Sequence, residues 1–360
     1  MPGTVYILGA GASYFDCAGA GIDIPLAHGF FKPDYLRKYW SMPDQVRAIW
    51  EKSHLFKVIG QYFAGRAASS LNIEEVYSFI LSSLKNPFLR FWEHSVFQSA
   101  EIEMLEYIRN ILSAATLMTE NPRLVNHLLK HLDTMDTIIS FNWDTLIDSA
   151  AYIKSPDHPL LKFQSELLQA HHKHSDWYSG KSFGPPHCPA YIKIHGSINL
   201  ATCDNSSCIH SSIPYRCEPQ DEFTDFYRCD NCGHNIKTFL LPPHTAKSYT
   251  HNNFVRLQAA IAADRLACAD NIVIIGYSFP VFDAEAQSLF RSSRMGTDEH
   301  GDGEQHLRSV TLVDPSVSIP EYVERVKDLL GLLDSKRAHG RSVPCITHNS
   351  VEAYLAKYSR

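Results

Sequence analysis

Short apolar runs that each stop at a polar signature recur along this chain. Thr4–Leu8 leads into Gly9-Ala10-Gly11-Ala12-Ser13, and Thr137–Ser140 into Phe141-Asn142-Trp143-Asp144. Tyr191–Ile194 leads into His195-Gly196-Ser197, Asn271–Ile275 into Gly276-Tyr277-Ser278, and Ser309–Val313 into Asp314-Pro315-Ser316. The runs are rich in Val and Ile and too short for helices, so they predict strands buried on both faces. In an open parallel sheet the ligand sits outside the carboxyl ends of the strands. Strand ends that carry glycine, hydroxyl, amide, acid or imidazole groups therefore predict one shared site.

Between these strands the periodicity changes. From about residue 31 to 133 the apolar spacing is helical and rich in aromatic residues. Asn72 followed by Glu75 predicts a capping pair for a helix carrying Val76, Phe79, Ile80 and Leu84. Two further amphipathic helices are predicted over 101–118 and 122–132, with Pro122 near the start of the second. Residues 154–190 lack periodicity and predict a long loop; His171, His172 and His174 there fit either a metal site or a solvated polar segment. A helix is predicted from Asn253 to Ala267, a mobile loop over Gly296–Gln305, and after 320 a helix, a short strand near Pro344–Thr347 and a terminal helix. The expected fold class is α/β: a Rossmann-like parallel sheet formed by 1–30, 134–199 and 241–360. A helical insertion is expected at 31–133, and a small zinc-binding module at 200–240.

Composition narrows the partners. A formal charge of −6 gives no general attraction to nucleic acid or to an anionic membrane. No apolar stretch approaches the roughly 20 residues of a membrane helix. The chain begins directly with a strand and a glycine loop, which leads to the expectation of a cytoplasmic protein. Of nine cysteines, the cluster between Cys203 and Cys232 points to a metal rather than to disulfides. Cys229 and Cys232, two residues apart before a glycine, form half of a zinc knuckle. Cys203 and Cys208 are the expected other half, with Cys217 as a competing ligand. Four thiolates form a closed, structural site.

Gly9 and Gly11 after an apolar strand permit a tight turn and close approach to a phosphate at a helix N-terminus. A dehydrogenase fingerprint would add a third glycine and a strand-end acid for the ribose. Neither is placed here, which disfavours hydride transfer. The motifs together resemble the sirtuin family, and its divergent NAD-consuming branch most closely. Gly9-Ala10-Gly11-Ala12-Ser13 with Gly21-Ile22-Asp23-Ile24-Pro25 looks like the opening loop, and Phe141-Asn142-Trp143-Asp144 like the Asn-x-Asp strand end. Ile194-His195-Gly196-Ser197 is similar to the catalytic histidine motif, and the cysteine cluster follows where the family places zinc. Gly276-Tyr277-Ser278-Phe279-Pro280, with Asp283 after it, resembles the later nucleotide loop.

The resemblance implies NAD+ as substrate and structural Zn2+. It implies His195 as general base, with Asn142 holding the ribose and a water, and Asp144 accepting from the nicotinamide carboxamide. It places Gly9, Ala10, Gly11, Ser13 and Pro25 around the pyrophosphate and opening loop, Gly276 and Ser278 at the adenosine side, and Asp314 on a ribose hydroxyl. Each has a plainer reading: Asn142 and Asp144 as helix caps, His195 as a core histidine, Asp314 as a turn starter. Two departures bear on the acceptor. Pro25 is followed by Leu26-Ala27-His28 instead of an aromatic-Arg pair. Leu240-Leu241-Pro242-Pro243 stands where a Phe-Gly-Glu peptide clamp would lie. The expected function is therefore an NAD+ glycohydrolase yielding nicotinamide and ADP-ribose, of the kind that serves as a bacterial antiviral defence effector. The alternatives are a protein-lysine deacylase using the same NAD chemistry and a non-catalytic module sensing NAD or ADP-ribose. The expected protein partner is a second copy of the chain or an operon-encoded protein.

Overall fold

The computed structural model describes residues 3–32, 52–153, 189–203, 207–211, 228–241, 253–280, 283–295, 307–332 and 343–358, with short pieces at 162–163, 169–170, 205 and 215–216. The strands are β1 (Thr4–Leu8), β2 (Thr137–Ser140), β3 (Lys162–Phe163), β4 (Gln169–Ala170), β5 (Ala190–Lys193), β6 (Gly196–Cys203), β7 (Tyr215–Arg216), β8 (Ile236–Leu240), β9 (Asn271–Ile275), β10 (Ser309–Val313) and β11 (Cys345–His348). The helices are α1 (Ala10–Gly19), α2 (His54–Tyr62), α3 (Ile73–Leu84), α4 (Phe91–Met118), α5 (Arg123–His131), α6 (Asn253–Ala267), α7 (Ala284–Met295), α8 (Pro320–Leu329) and α9 (Val351–Tyr358).

The apolar runs form one seven-stranded sheet in the order β11-β10-β9-β1-β2-β5-β3, and its pairings are parallel. β-Branched residues suit strands covered on both sides. Ile7, Ile139, Ile192, Ile272 and Leu312 are buried accordingly. The chain leaves β1 for β2 and β5 on one side, then returns to β9 and β10 on the other. β1 is thus where the order reverses, and such a reversal opens a crevice at the carboxyl ends.

The ladder continues past the strand ends into that crevice. Gly9 donates its N–H to Ile275 O at 3.0 Å, Phe141 to Leu8 O at 2.9 Å, Ile194 to Ser140 O at 3.2 Å and Gly276 to Val313 O at 2.9 Å. The polar signatures are therefore held by sheet geometry and not by loose loops.

The segment between α1 and β2 is helical in its described part. Asn72 Oδ1 caps α3 by accepting from Glu74 N at 2.8 Å. Glu75 does not complete the expected capping box; its carboxylate pairs with Arg66 at 2.6 Å. The helix expected from 101 begins earlier, at Phe91, and runs 28 residues. Its N-terminal turns carry exposed Phe91 and Trp92, which hide the amphipathic pattern there. α2 and α3 pack on α4 through Phe79, which lies against Phe63 and Phe97 with ring centroids 5.4 and 5.8 Å apart.

A second sheet, β4-β7-β6-β8, carries the cysteines. β6 and β8 pair antiparallel from Gly196–Leu240 to Cys203–Ile236. The boundary expected at residue 200 falls inside β6, because the hairpin starts beside His195 itself. The histidines at 171–174, the Gly296–Gln305 loop and Cys217 lie outside the described residues.

Candidate functional site

A cavity of 820 Å³ opens at the carboxyl ends of the strands. Gly9, Ala10, Gly11 and Ser13 line it from the first turn of α1, and Pro25 from the segment that follows that helix. Asn142 and Asp144 enter after β2, and His195 after β5. Gly276 and Ser278 enter after β9, and Asp314 after β10. The candidate small-molecule residues thus converge on one cavity, although they lie far apart in sequence.

The glycine loop forms by backbone contact across the crevice. Gly276 has φ +62°, a left-handed conformation that costs side-chain-bearing residues energy. A Cβ on Gly276 would lie 2.3 Å from Ala12 N, and one on Gly9 would lie 2.4 Å from Gly276 O. These glycines first of all let the β1 and β9 loops touch. Gly11 N–H is given to Gly276 O at 3.0 Å. Gly11 therefore lines the cavity with that amide already paired. α1 ends in a Schellman motif: Gly21, at φ +75°, donates to Ala18 O, and Ile22 donates to Cys17 O.

A directed hydrogen-bond chain joins the first two strand ends. Asn142 Nδ2 donates to Gly9 O and to Ser13 Oγ, each at 2.9 Å. Ser13 Oγ in turn donates to Asp144 Oδ2 at 2.6 Å. Gly9 O can only accept, and the Ser13 hydroxyl has spent its hydrogen on a carboxylate. The Asn142 amide orientation follows from its partners. Asp144 Oδ1 accepts from Leu146 N at 3.1 Å, which caps the turn after β2. Asp314 likewise caps the turn after β10, accepting from Ser316 N at 2.8 Å. A carboxylate has about four acceptor positions, so capping does not exhaust either group.

His195 is buried and lies edge-on to Phe141 at 5.0 Å. Phe141 stacks on Tyr277 at 4.4 Å. His195 Nε2 lies 3.2 Å from Asp283 Oδ2, and Tyr277 donates its hydroxyl hydrogen to the same oxygen at 3.0 Å. Both His195 and Asp283 line the cavity.

Behind the cavity floor, Lys193 is wholly buried. Its ammonium donates to Asp144 O at 2.6 Å and to Asp148 Oδ2 at 3.3 Å, and also to Ser197 Oγ. Asp148 further accepts from Tyr191 Oη and Asn199 Nδ2, each at 2.9 Å. This network ties the Asp144 carbonyl to the strand that delivers His195. Lys193 and the Asp283 contact were not identified from sequence. Lys193 carries a usable signal, since a lysine inside a run buried on both faces requires partners.

The helical segment supplies another wall: Phe30, Ile73, Glu74 and Leu112, with Arg123 from α5. Tyr107 in α4 donates to Phe30 O at 2.7 Å and so anchors that wall. On the buried face of α1, Asp16 accepts from Leu124 N at 2.7 Å and Val125 N at 3.1 Å, capping α5 from outside. Burial raises its pKa to about 6; the two amides oppose the shift and Asp144 adds to it.

The thiols of Cys203, Cys208, Cys229 and Cys232 lie within 4.8 Å of one another. Cys203 and Cys232 are 3.4 Å apart, and Cys208 and Cys229 3.7 Å. Tetrahedral zinc with Zn–S bonds of about 2.3 Å separates sulfurs by about 3.8 Å, so the cluster fits Zn2+. Gly233, at φ +72°, turns the chain after Cys232, and its N–H returns to Cys229 O at 2.7 Å. With four thiolates as ligands, zinc would be structural and would close the far end of the β6–β8 hairpin.

No helix among the described residues is long and apolar enough to cross a membrane. No protein-family model and no curated protein matches the chain. Solved structures of Sir2 proteins do. One is a Sir2 in complex with an inhibitor, 2′-O-acetyl-ADP-ribose and a deacetylated peptide, at TM-score 0.36 and 12% identity, covering 99% of this chain and 91% of that one. Another is a mutant Sir2 homologue bound to ADP-ribose, at TM-score 0.36 and 15% identity, covering 91% and 93%. Superpositions this loose transfer no residue roles.

Proposed function

We propose that this protein cleaves NAD+ at the nicotinamide–ribose bond with water as acceptor, giving nicotinamide, ADP-ribose and a proton. The observation that carries this reading is the convergence of His195, Asn142 and the Ser13–Asp144 pair on one strand-end cavity. Breaking the C–N glycosidic bond leaves an oxocarbenium-like ribose that needs a positioned water and a base. An imidazole can take up and release a proton, which suits the base. His195 takes the proton as water forms the new C–O bond. Asn142 orients ribose and water through an amide whose orientation its partners fix. Asp144 accepts from the leaving carboxamide, while the α1 N-terminus favours the pyrophosphate charge. Gly276, Ser278 and Asp314 form the adenosine end.

Water is favoured over acyl-lysine because Leu240-Leu241-Pro242-Pro243 stands where a peptide clamp would lie. The opening loop also lacks the aromatic-Arg pair after Pro25. Hydrolysis of this kind depletes NAD, in keeping with the defence role that the sequence resemblance implies. The test is nicotinamide release from NAD by the full chain, with and without an acetylated peptide. Release independent of peptide, and abolished by His195→Ala, is the expected result. Release only with peptide, accompanied by O-acetyl-ADP-ribose, overturns the hydrolase in favour of a deacylase.

A further inference from the structure

We propose that Arg123 pairs with the pyrophosphate of a bound nucleoside diphosphate, supplying from α5 the full positive charge that the glycine loop lacks. The inference deepens the NAD reading and rests on it for the identity of the nucleotide only. Among the described residues that line the cavity, Arg123 alone carries a permanent positive charge. Glu74, Asp144, Asp314 and Glu352 line the same cavity with carboxyl groups. A pyrophosphate adds further negative charge to that field and needs a counter-charge there. The glycine loop has already committed much of its backbone. The N–H groups of Gly9, Gly11 and Ala12 go to Ile275 O at 3.0 Å, Gly276 O at 3.0 Å and Gly9 O at 2.9 Å. What the end of α1 still offers is a partial charge.

Arg123 is held where it can add a full one. As the first residue of α5 it is fixed against α1, because Asp16 accepts from the backbone N–H groups of Arg123, Leu124 and Val125. A Cβ on Gly19 would lie 4.0 Å from Arg123 Cδ, so the stem passes the last turn of α1. The guanidinium lies over the Phe15 ring, 5.6 Å from its centroid, about one helical turn nearer the start of α1. Phe15 and Gly19 line the cavity as well. A ring face attracts a cation without neutralising it as a carboxylate would. No carboxylate among the described residues forms an ion pair with Arg123. Its side chain is exposed at the cavity mouth, and its planar fork of donors matches phosphate oxygens.

The test is calorimetric titration of the full chain with ADP-ribose, adenosine and inorganic pyrophosphate. Arg123→Gln is expected to weaken ADP-ribose binding by about 10- to 100-fold, as the loss of a charge-assisted hydrogen-bonded pair would. It should leave adenosine affinity and the thermal midpoint where they are, because an exposed side chain carries little packing. Arg123→Lys, which keeps the charge without the fork, should recover part of the loss. Added salt should weaken ADP-ribose binding to the wild type more steeply than to Arg123→Gln. KM for NAD should rise in Arg123→Gln with kcat nearly unchanged, because a phosphate contact is made equally before and during bond cleavage. An unchanged ADP-ribose affinity in Arg123→Gln overturns the proposal. So does a loss matched by adenosine or by a fall in the midpoint, which would mark a structural role. Pyrophosphate separates this proposal from the NAD reading. A wild type that binds pyrophosphate through Arg123 but binds no ADP-ribose supports the anion site and counts against NAD alone. A wild type that binds neither overturns the proposal.

Discussion

A lysine ammonium with no exposed surface underlies the Asp144 carbonyl, and its removal separates a structural from a chemical contribution. Lys193→Met leaves Asp148 buried without its cation. Breaking one half of a buried pair costs about 3–5 kcal/mol. Urea denaturation should show a loss of that size, partly recovered when Asp148→Leu is added. Asp16 makes a pH-dependent contribution of opposite character. Its carboxyl titrates near the ordinary 3.8 in the unfolded chain and near 6 in the fold. Between those values the folded state binds more protons, so this group's contribution to stability grows as pH falls from 6 toward 4. It is lost as pH rises through 6. The difference between wild type and Asp16→Asn, followed by denaturation from pH 4 to 7, should carry that slope, on the order of 2–3 kcal/mol. A flat difference would exclude Asp16 as the source. At this scale the sequence exposed residue types and strand-end positions. It did not expose partners such as Asp283 for His195 or Asp148 for Lys193. Asp283 and Lys193 each lie more than 40 positions from at least one residue they contact, and no local pattern links them.

At the scale of elements, the β6–β8 hairpin connects the thiol cluster to the cavity. β6 begins at Gly196, next to His195, and Leu241 N–H returns to His195 O at 2.8 Å. Zinc is expected at one ion per chain by elemental analysis. Cys229→Ser, or prolonged chelation, should release it and lower the thermal midpoint, because structural zinc binding is coupled to folding. If the hairpin supports His195 as its backbone suggests, nicotinamide release should fall with the metal although no thiol among the described residues lines the cavity. Full activity in a metal-free, folded protein would show that the hairpin and the site are independent. Helix existence at 73–84, 123–131 and 253–267 was legible from apolar spacing. The start of α4 was not, because its first turns expose Phe91 and Trp92. The Asn72 cap was legible as well. The fate of Glu75 was not, because Arg66 competes for its carboxylate.

At the scale of the whole molecule, we propose that 1–30, 134–195 and 241–360 form the nucleotide-binding body, with 31–133 inserted and 196–240, which begins with β6, appended as a metal-stapled module. The α/β character, the five core strands and the polar ends of those strands were determined by the sequence alone. β-Branched runs buried on both faces leave little other choice, and the polar residues were already written at their carboxyl ends. Cysteine spacing pointed to a metal and left Cys203, Cys208 and Cys217 in competition beside Cys229 and Cys232, and the fold brings Cys203, Cys208, Cys229 and Cys232 together. Only the tertiary structure decided that the order reverses at β1 and so where the crevice opens. Strand order depends on which faces pack, and a short apolar run does not state its neighbours. The structure also decided that Gly9 and Gly276 serve each other's backbone, that a helical wall closes the cavity, and that Asp283 meets His195. Each of these is a contact between distant segments, formed when burial of the sheet brings the segments together.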